Sequence, residues 1–175
     1  IQRRDFVALL GGAVAASVVP VRAQAMPVIG YLGSETPERY GSRLKAFREG
    51  LAQAGYTEGR FAIEFRWAEG QYAQLPALAM ELANRHVTMI VAAGGAEVAL
   101  AAKSATTTIP IVFEMGGDPV ALGVVDSLSR PGGNLTGVSS LSVEVSRKRL
   151  EFMNEMRPGG KVFAVAVNPR SLPLL

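Results

Sequence analysis

The sequence predicts an α/β domain: a parallel sheet with helices on both faces. Two observations carry that reading. Short apolar runs rich in β-branched residues alternate along the chain with segments whose apolar residues recur every three or four positions. Strands that alternate with helices imply right-handed crossovers and parallel strands. Finally, four of the runs end in small, hydroxyl-bearing or acidic residues: Ser34-Glu35, Gly94-Gly95-Ala96-Glu97, Gly116-Gly117-Asp118 and Ser139-Ser140. In such sheets the carboxyl ends of the strands share one rim, and ligands bind there.

The first 25 residues read as an export signal rather than as part of the fold. Arg3-Arg4-Asp5-Phe6 matches the start of a twin-arginine signal, with Gln2 where Ser or Thr is usual, so an ordinary secretory signal stays open. Phe6 to Val19 is a moderately apolar run, and Ala23-Gln24-Ala25 supplies small residues for cleavage. The run is shorter than the roughly 20 apolar residues a membrane span requires. A mature protein that starts near Gln24 or Met26, lies in the periplasm and does not span the membrane is the expectation.

The mature part is long enough for a core, since the 175 residues are 49% apolar and a domain needs about 100 to 150. Formal net charge is +3, but from Met26 onward 15 basic side chains face 14 acidic ones, a balance that gives no case for nucleic acid. With no cysteine, disulfides, thiolate metal sites and lipidated-cysteine anchors are excluded. His86, the single histidine, ends a helix as a terminal cation or polar surface group, and alone it builds no metal centre. No cofactor is expected.

Taken in order, Pro27 to Gly33 reads as a first central strand. Ser34 to Glu38 gives turn chemistry, with Thr36 before Pro37 suited to open a helix. Leu44, Phe47, Leu51 and Ala54 form its apolar stripe, and Gly55 ends it. Phe61, Ile63, Phe65 and Trp67 alternate with Ala62, Glu64, Arg66 and Ala68, as in an edge strand wetted on one face. Leu75, Leu78, Ala79 and Leu82 mark the next helix.

The stretch Met89 to Val98 organises the rest. An apolar strand meets Gly94-Gly95 and then Ala, Val and Leu at helical spacing. The first amides of a helix lack internal partners and carry the positive end of its dipole, so this turn can take a carboxylate or phosphate. It serves equally well as a plain strand-to-helix connection. Downstream, Pro110 to Glu114 is another buried strand, Arg130 to Asn134 a turn, and Leu135 to Ser139 a fifth strand. Val145, Arg149, Phe152 and Met156 share a helical face before Pro158-Gly159-Gly160, and Lys161 to Val167 reads as a sixth strand.

Several stretches together resemble a known family: Val28-Ile-Gly-Tyr-Leu, Phe47-Arg-Glu-Gly-Leu-Ala-Gln-Ala-Gly-Tyr56, Phe65-Arg-Trp-Ala-Glu-Gly-Gln-Tyr72, Thr107-Thr-Ile-Pro-Ile-Val-Phe113, Gly117-Asp-Pro-Val120 and Arg130-Pro-Gly-Gly-Asn-Leu-Thr-Gly-Val138. Their order and spacing resemble the periplasmic substrate-binding components of ABC transporters, in the sub-family that includes tryptophan- and tyrosine-binding proteins. The resemblance implies a Rossmann-like first lobe of a type I periplasmic-binding protein, whose two lobes close over a small organic solute that is amino-acid-like or carboxylate-bearing. It implies delivery to the transporter permease. Residues 26–157 would be the ligand-binding lobe and 158–175 the truncated start of a second one, because such proteins run to about 300 residues, a two-domain size.

Carried over to these positions, the ligand-binding residues are Ser34, Glu35, Gly94, Gly95, Ala96, Glu97, Gly117, Asp118, Ser139, Ser140 and Leu141. Ala96-Glu97 stands where many relatives carry a hydroxyl residue. Asp118 before Pro119 also suits a plain turn cap. Glu97 and Glu114 read as rim or solvent carboxylates. Trp67 and Tyr72 suit an aromatic ligand, although the strand alternation assigns Trp67 to the core. A ligand-sensing domain for a signalling partner would use the same fold. A nucleotide-binding enzyme would too, but Gly30-Tyr-Leu-Gly33 lacks the dinucleotide spacing and no Walker sequence occurs. With no G-x-S-x-G and one histidine, hydrolase chemistry has no nucleophile and base, and no enzymatic activity is expected.

Overall fold

The computed structural model describes residues 26–142 except position 58, residues 145–157, and positions 159, 162 and 164. The expected export signal lies outside the described residues, as does most of the expected sixth strand. Elements follow in the order β1 (Val28–Gly33), α1 (Gly41–Gln53), β2 (Ala62–Trp67), α2 (Leu75–Asn84), β3 (Met89–Ala93), α3 (Ala96–Ala105), β4 (Ile111–Met115), β5 (Leu135–Ser139) and α4 (Ser146–Met156). The five strands form one parallel sheet in the order β2-β1-β3-β4-β5, so the predicted α/β class is the observed one. β2 is an edge strand, as its alternation predicts.

This order fixes where a ligand can enter. From β1 the chain crosses to β2 on one side, and all later strands add on the other, so the connections part between β1 and β3. That switch point opens a crevice at the carboxyl ends of the two strands.

The two faces of the sheet are built differently. On one, Leu32, Ile90, Ala92, Ile111, Phe113 and Leu135 meet Leu75, Ala79 and Leu82 of α2 and Val98, Ala99 and Ala102 of α3 in one buried core. On the other, α1 lays Leu44, Phe47 and Leu51 over Ile29, Tyr31, Val91 and Ala93, beside Phe65 and Trp67 of β2. Ala54, the last residue of the predicted stripe, is exposed. Gly55 (φ 86) ends α1 in a Schellman arrangement, with Tyr56 N bonded to Leu51 O at 2.9 Å and Gly55 N to Ala52 O at 3.0 Å.

Three expectations are corrected. Regular helix begins at Gly41 rather than at Pro37, and residues 37–40 form turns, with Gly41 N bonded to Glu38 O at 3.3 Å. The cause is Tyr40, whose backbone (φ −94, ψ 1) leaves the α region as its side chain turns under the helix to 2% exposure. Next, the expected wet face of β2 is half-buried, because Arg66 and Glu64 reach along the surface to ion-pair with Glu81 of α2 (2.7 Å) and with Arg85 at its C-terminal end. Finally, helices do not cover both faces throughout. Over β4 and β5, on the α1 side, no helix is packed among the described residues, and Val138 is 65% exposed in mid-strand. α4 keeps Leu150, Phe152, Met153 and Met156 in solvent.

Candidate functional site

At the switch point the ends of β1, β3, β4 and β5 surround a cavity of 650 Å³, within the size range of small-molecule sites. Ser34, Gly94, Gly95, Met115, Gly116 and Ser140 come from strand ends, Arg39, Tyr40 and Arg43 from the entry into α1, and Tyr72 from the turn before α2. The predicted convergence of loops at one rim is therefore what the sheet produces.

The floor is a hydroxyl pair. Ser34 is 2% exposed, and its Oγ lies 3.2 Å from the Tyr40 hydroxyl. Each also reaches a carbonyl at the end of β3, Ser34 Oγ donating to Gly94 O at 3.4 Å and Tyr40 to Ala93 O at 3.5 Å. Two protons thus serve three contacts and tie the β1 and β3 ends together. Gly94 (φ 117) is the residue this brace demands, since a β-carbon there would collide with both hydroxyls. The Tyr40 ring is wedged against Trp67, whose indole lies directly over Gly33.

Charge is unevenly distributed around the cavity. Glu35 and Arg39 neutralise each other at 3.2 Å across one helical turn. The guanidinium of Arg43, an exposed residue, sits 4.8 Å above the Tyr40 ring, a cation–π contact that favours this placement of the head. Glu114 is half-buried on β4, in register with Ala93. Beneath the cavity, burial pushes the Tyr31 hydroxyl up to about 12, with Tyr40 and Glu114 adding to the rise and Arg43 opposing it. Burial also raises Tyr72, reinforced by the carboxylates of Glu35 and Glu97 and opposed by a hydrogen bond with Ser34.

Of the predicted site residues, Ser34, Glu35, Gly94, Gly95 and Ser140 line this cavity. Ala96 instead faces the core as the first residue of α3. The Glu97 carboxylate lies beside the helix start, 3.0 Å from where a Gly95 β-carbon would be, and so complements the dipole of its own helix. Asp118 accepts the amides of Val120 and Ala121 at 2.8 and 3.3 Å, capping a turn whose last carbonyls, Gly123 and Val124, receive the Lys103 ammonium at 3.0 Å. Gly117 O takes the Ser139 hydroxyl at 2.6 Å, and Ser139 and Leu141 line a separate pocket of 140 Å³.

Sequence reasoning missed Arg39, Tyr40 and Arg43 and gave Glu114 no ligand role. The signals were present. Two arginines at the entry to a helix oppose its dipole, and a glutamate within Ile111-Val-Phe-Glu-Met115 puts a charge in a run that otherwise reads as buried strand. Among the described residues no three His, Asp or Glu side chains are grouped to hold a metal ion.

A parallel sheet of this order, with a polar cavity at its switch point and glycine turns at its rim, has the architecture of doubly wound α/β domains. Residues 35–171 match the family of ABC transporter substrate binding proteins, and the chain belongs to that family. It is 33% identical over 126 residues to a tyrosine-binding protein of Clostridioides difficile (strain R20291), a match over 71% of this chain and 35% of that protein. The domain from Streptococcus pneumonia whose structure was solved with L-Trp superimposes with a TM-score of 0.60 at 28% identity, over 65% of this chain and 38% of the other. A conserved domain protein from Vibrio cholerae gives 0.68 at 29% identity over 77% and 45%. A ligand-free, open substrate-binding protein with adhesive properties from Clostridium difficile gives 0.58 at 27% over 70% and 43%. The chain thus spans about a third of the curated relative's length and less than half of each of these structures.

Proposed function

We propose that this chain supplies the first of two lobes of an exported solute-binding protein that captures a small amino-acid-like solute and hands it to an ABC importer's permease. The observation that carries this reading is the cavity at the switch point, where hydroxyls, glycine turns and charged groups of both signs converge from four strand ends and α1. Such a surface fits a zwitterionic head group. The tyrosine-binding relative and the L-Trp complex support an amino acid as the solute.

Residues 26–157 form the lobe and 158–175 begin the second. Closure of that lobe over the cavity would desolvate the ligand and complete its contacts. Export across the inner membrane by the N-terminal 25 residues places the mature protein in the periplasm, and no helix among the described residues is long and apolar enough to cross a membrane. The brace at Gly94 positions the rim, and the capture in this reading is passive, without bond making or breaking.

A thermal-shift screen of the intact protein against amino acids and small carboxylic acids tests the proposal. A stabilising hit that is recovered unchanged, and lost in Gly95→Val, supports it. A screen without hits, or turnover of the hit, overturns it.

A further inference from the structure

We propose that Arg43 and Glu114 are the charge-recognising pair of the cavity, Arg43 taking the carboxylate and Glu114 the ammonium of an α-amino acid. This rests on the solute-binding reading above and assigns its recognition chemistry to two residues. Both line the cavity, Arg43 from its helix wall and Glu114 from the sheet. The other charged lining residues, Glu35 and Arg39, satisfy each other. Arg43 and Glu114 make no ion pair with any described residue. The field of each reaches the hydroxyl of Tyr31, with opposite sign, so the two act on one space.

Their surroundings favour recognition over a solvated face. Arg43 is exposed, and the contact over Tyr40 favours one placement of its head above a ring that Ser34 and Trp67 lock. A guanidinium already biased toward one placement loses less entropy when it takes a carboxylate on its fork. Glu114 stands in register with Ala93 and, beyond it, Gly33 on the β1 side and with Val138 on the other, so toward β1 the sheet offers small side chains and leaves its carboxylate room for a ligand. The obvious anion site, the amides at Gly95, already has the Glu97 carboxylate beside it. A ligand carboxylate is repelled there and directed to Arg43.

The test is calorimetric titration of the intact protein with L-tyrosine, tyramine, which lacks the carboxylate, and 3-(4-hydroxyphenyl)propionate, which lacks the ammonium. Wild type prefers L-tyrosine over both. Arg43→Gln lowers affinity for L-tyrosine about tenfold or more, the scale of a charged hydrogen bond, and brings the tyrosine-to-tyramine ratio close to one. Glu114→Gln does the same to the ratio of tyrosine to the propionate. Ratios within one variant are unaffected by partial unfolding, which weakens both ligands equally. Unchanged ratios in a wild-type background that binds L-tyrosine overturn the pair and leave the solute-binding reading standing. A wild-type protein that binds none of the three overturns both.

Discussion

The two faces of the sheet use the same five strands for opposite ends. Under α2 and α3 the face is aliphatic and closed, and Leu32, Ala79, Leu82, Ile90, Val98 and Ile111 are all fully buried. Under α1 it is aromatic and half-open: the rings of Tyr31, Phe47, Phe65, Trp67 and Tyr40 meet at centroid distances of 5.4 to 5.8 Å, and cover stops before β4 and β5. The difference teaches how a small lobe divides its labour. Dense aliphatic packing stabilises the fold on one side. On the other, large rings with polar tips build a wall that is rigid yet carries hydroxyls to the rim.

If that division holds, core truncations on the closed face should have the largest effect on stability. Leu82→Ala is expected to cost about 3 to 4 kcal/mol in denaturant unfolding, whereas Leu51→Ala, half-buried under α1, should cost about 1 to 1.5. Equal losses would remove the contrast between the faces.

Gly94→Ala probes the seam between them. The added carbon meets two hydroxyls in a backbone region L residues avoid, so stability should fall by about 2 kcal/mol, and ligand affinity should fall with it. A near-neutral variant by circular dichroism melting would show that the brace is looser than its geometry.

Alkaline pH separates the faces by charge. The Tyr31 hydroxyl, raised to about 12 from 10.0, stays protonated in the folded protein while the unfolded chain ionises. Its contribution is present in full below pH 10 and is lost as pH rises toward 12, at most about 2 to 3 kcal/mol. Denaturant titrations between pH 9 and 12 should therefore slope less steeply downward in Tyr31→Phe than in wild type. Parallel slopes would refute the assignment.

A smaller effect is expected for Tyr40→Phe. It removes one hydroxyl from the pair and leaves Ser34 to the Gly94 carbonyl, costing about 1 kcal/mol. The smallest belongs to Arg39→Ala, an exposed helical pair worth about 0.5 kcal/mol or less and screened by salt. A larger loss there would give Glu35 a role beyond its partner.

Much of this was legible in the sequence because it is local. The period of two in Phe61 to Ala68, the period near 3.6 in Leu44 to Leu51, and the glycines after β3 each follow from backbone geometry acting over a few residues. So did the rim, since parallel strands must end together. Asp118 shows the limit: a residue before proline suited both a ligand and a cap, and only the bonds to Val120 and Ala121 reveal that it caps the turn. Trp67 was correctly assigned to packing by its alternation, and it wedges Tyr40.

By itself, then, the sequence determined the element types, the edge position of β2, the family resemblance and the shared rim at which the strands end. Tertiary structure alone decided which side chains from distant elements join Ser34, Glu35, Gly94, Gly95 and Ser140 at that rim. Tyr40 and Arg43 come from a helix entrance more than 50 residues from Gly94, and Glu114 from a strand two places away from β1 in the sheet. Their meeting depends on strand order and helix side, which are set by how the whole chain buries its apolar surface. No local pattern encodes that choice, because the energy behind it is summed over contacts far apart in sequence.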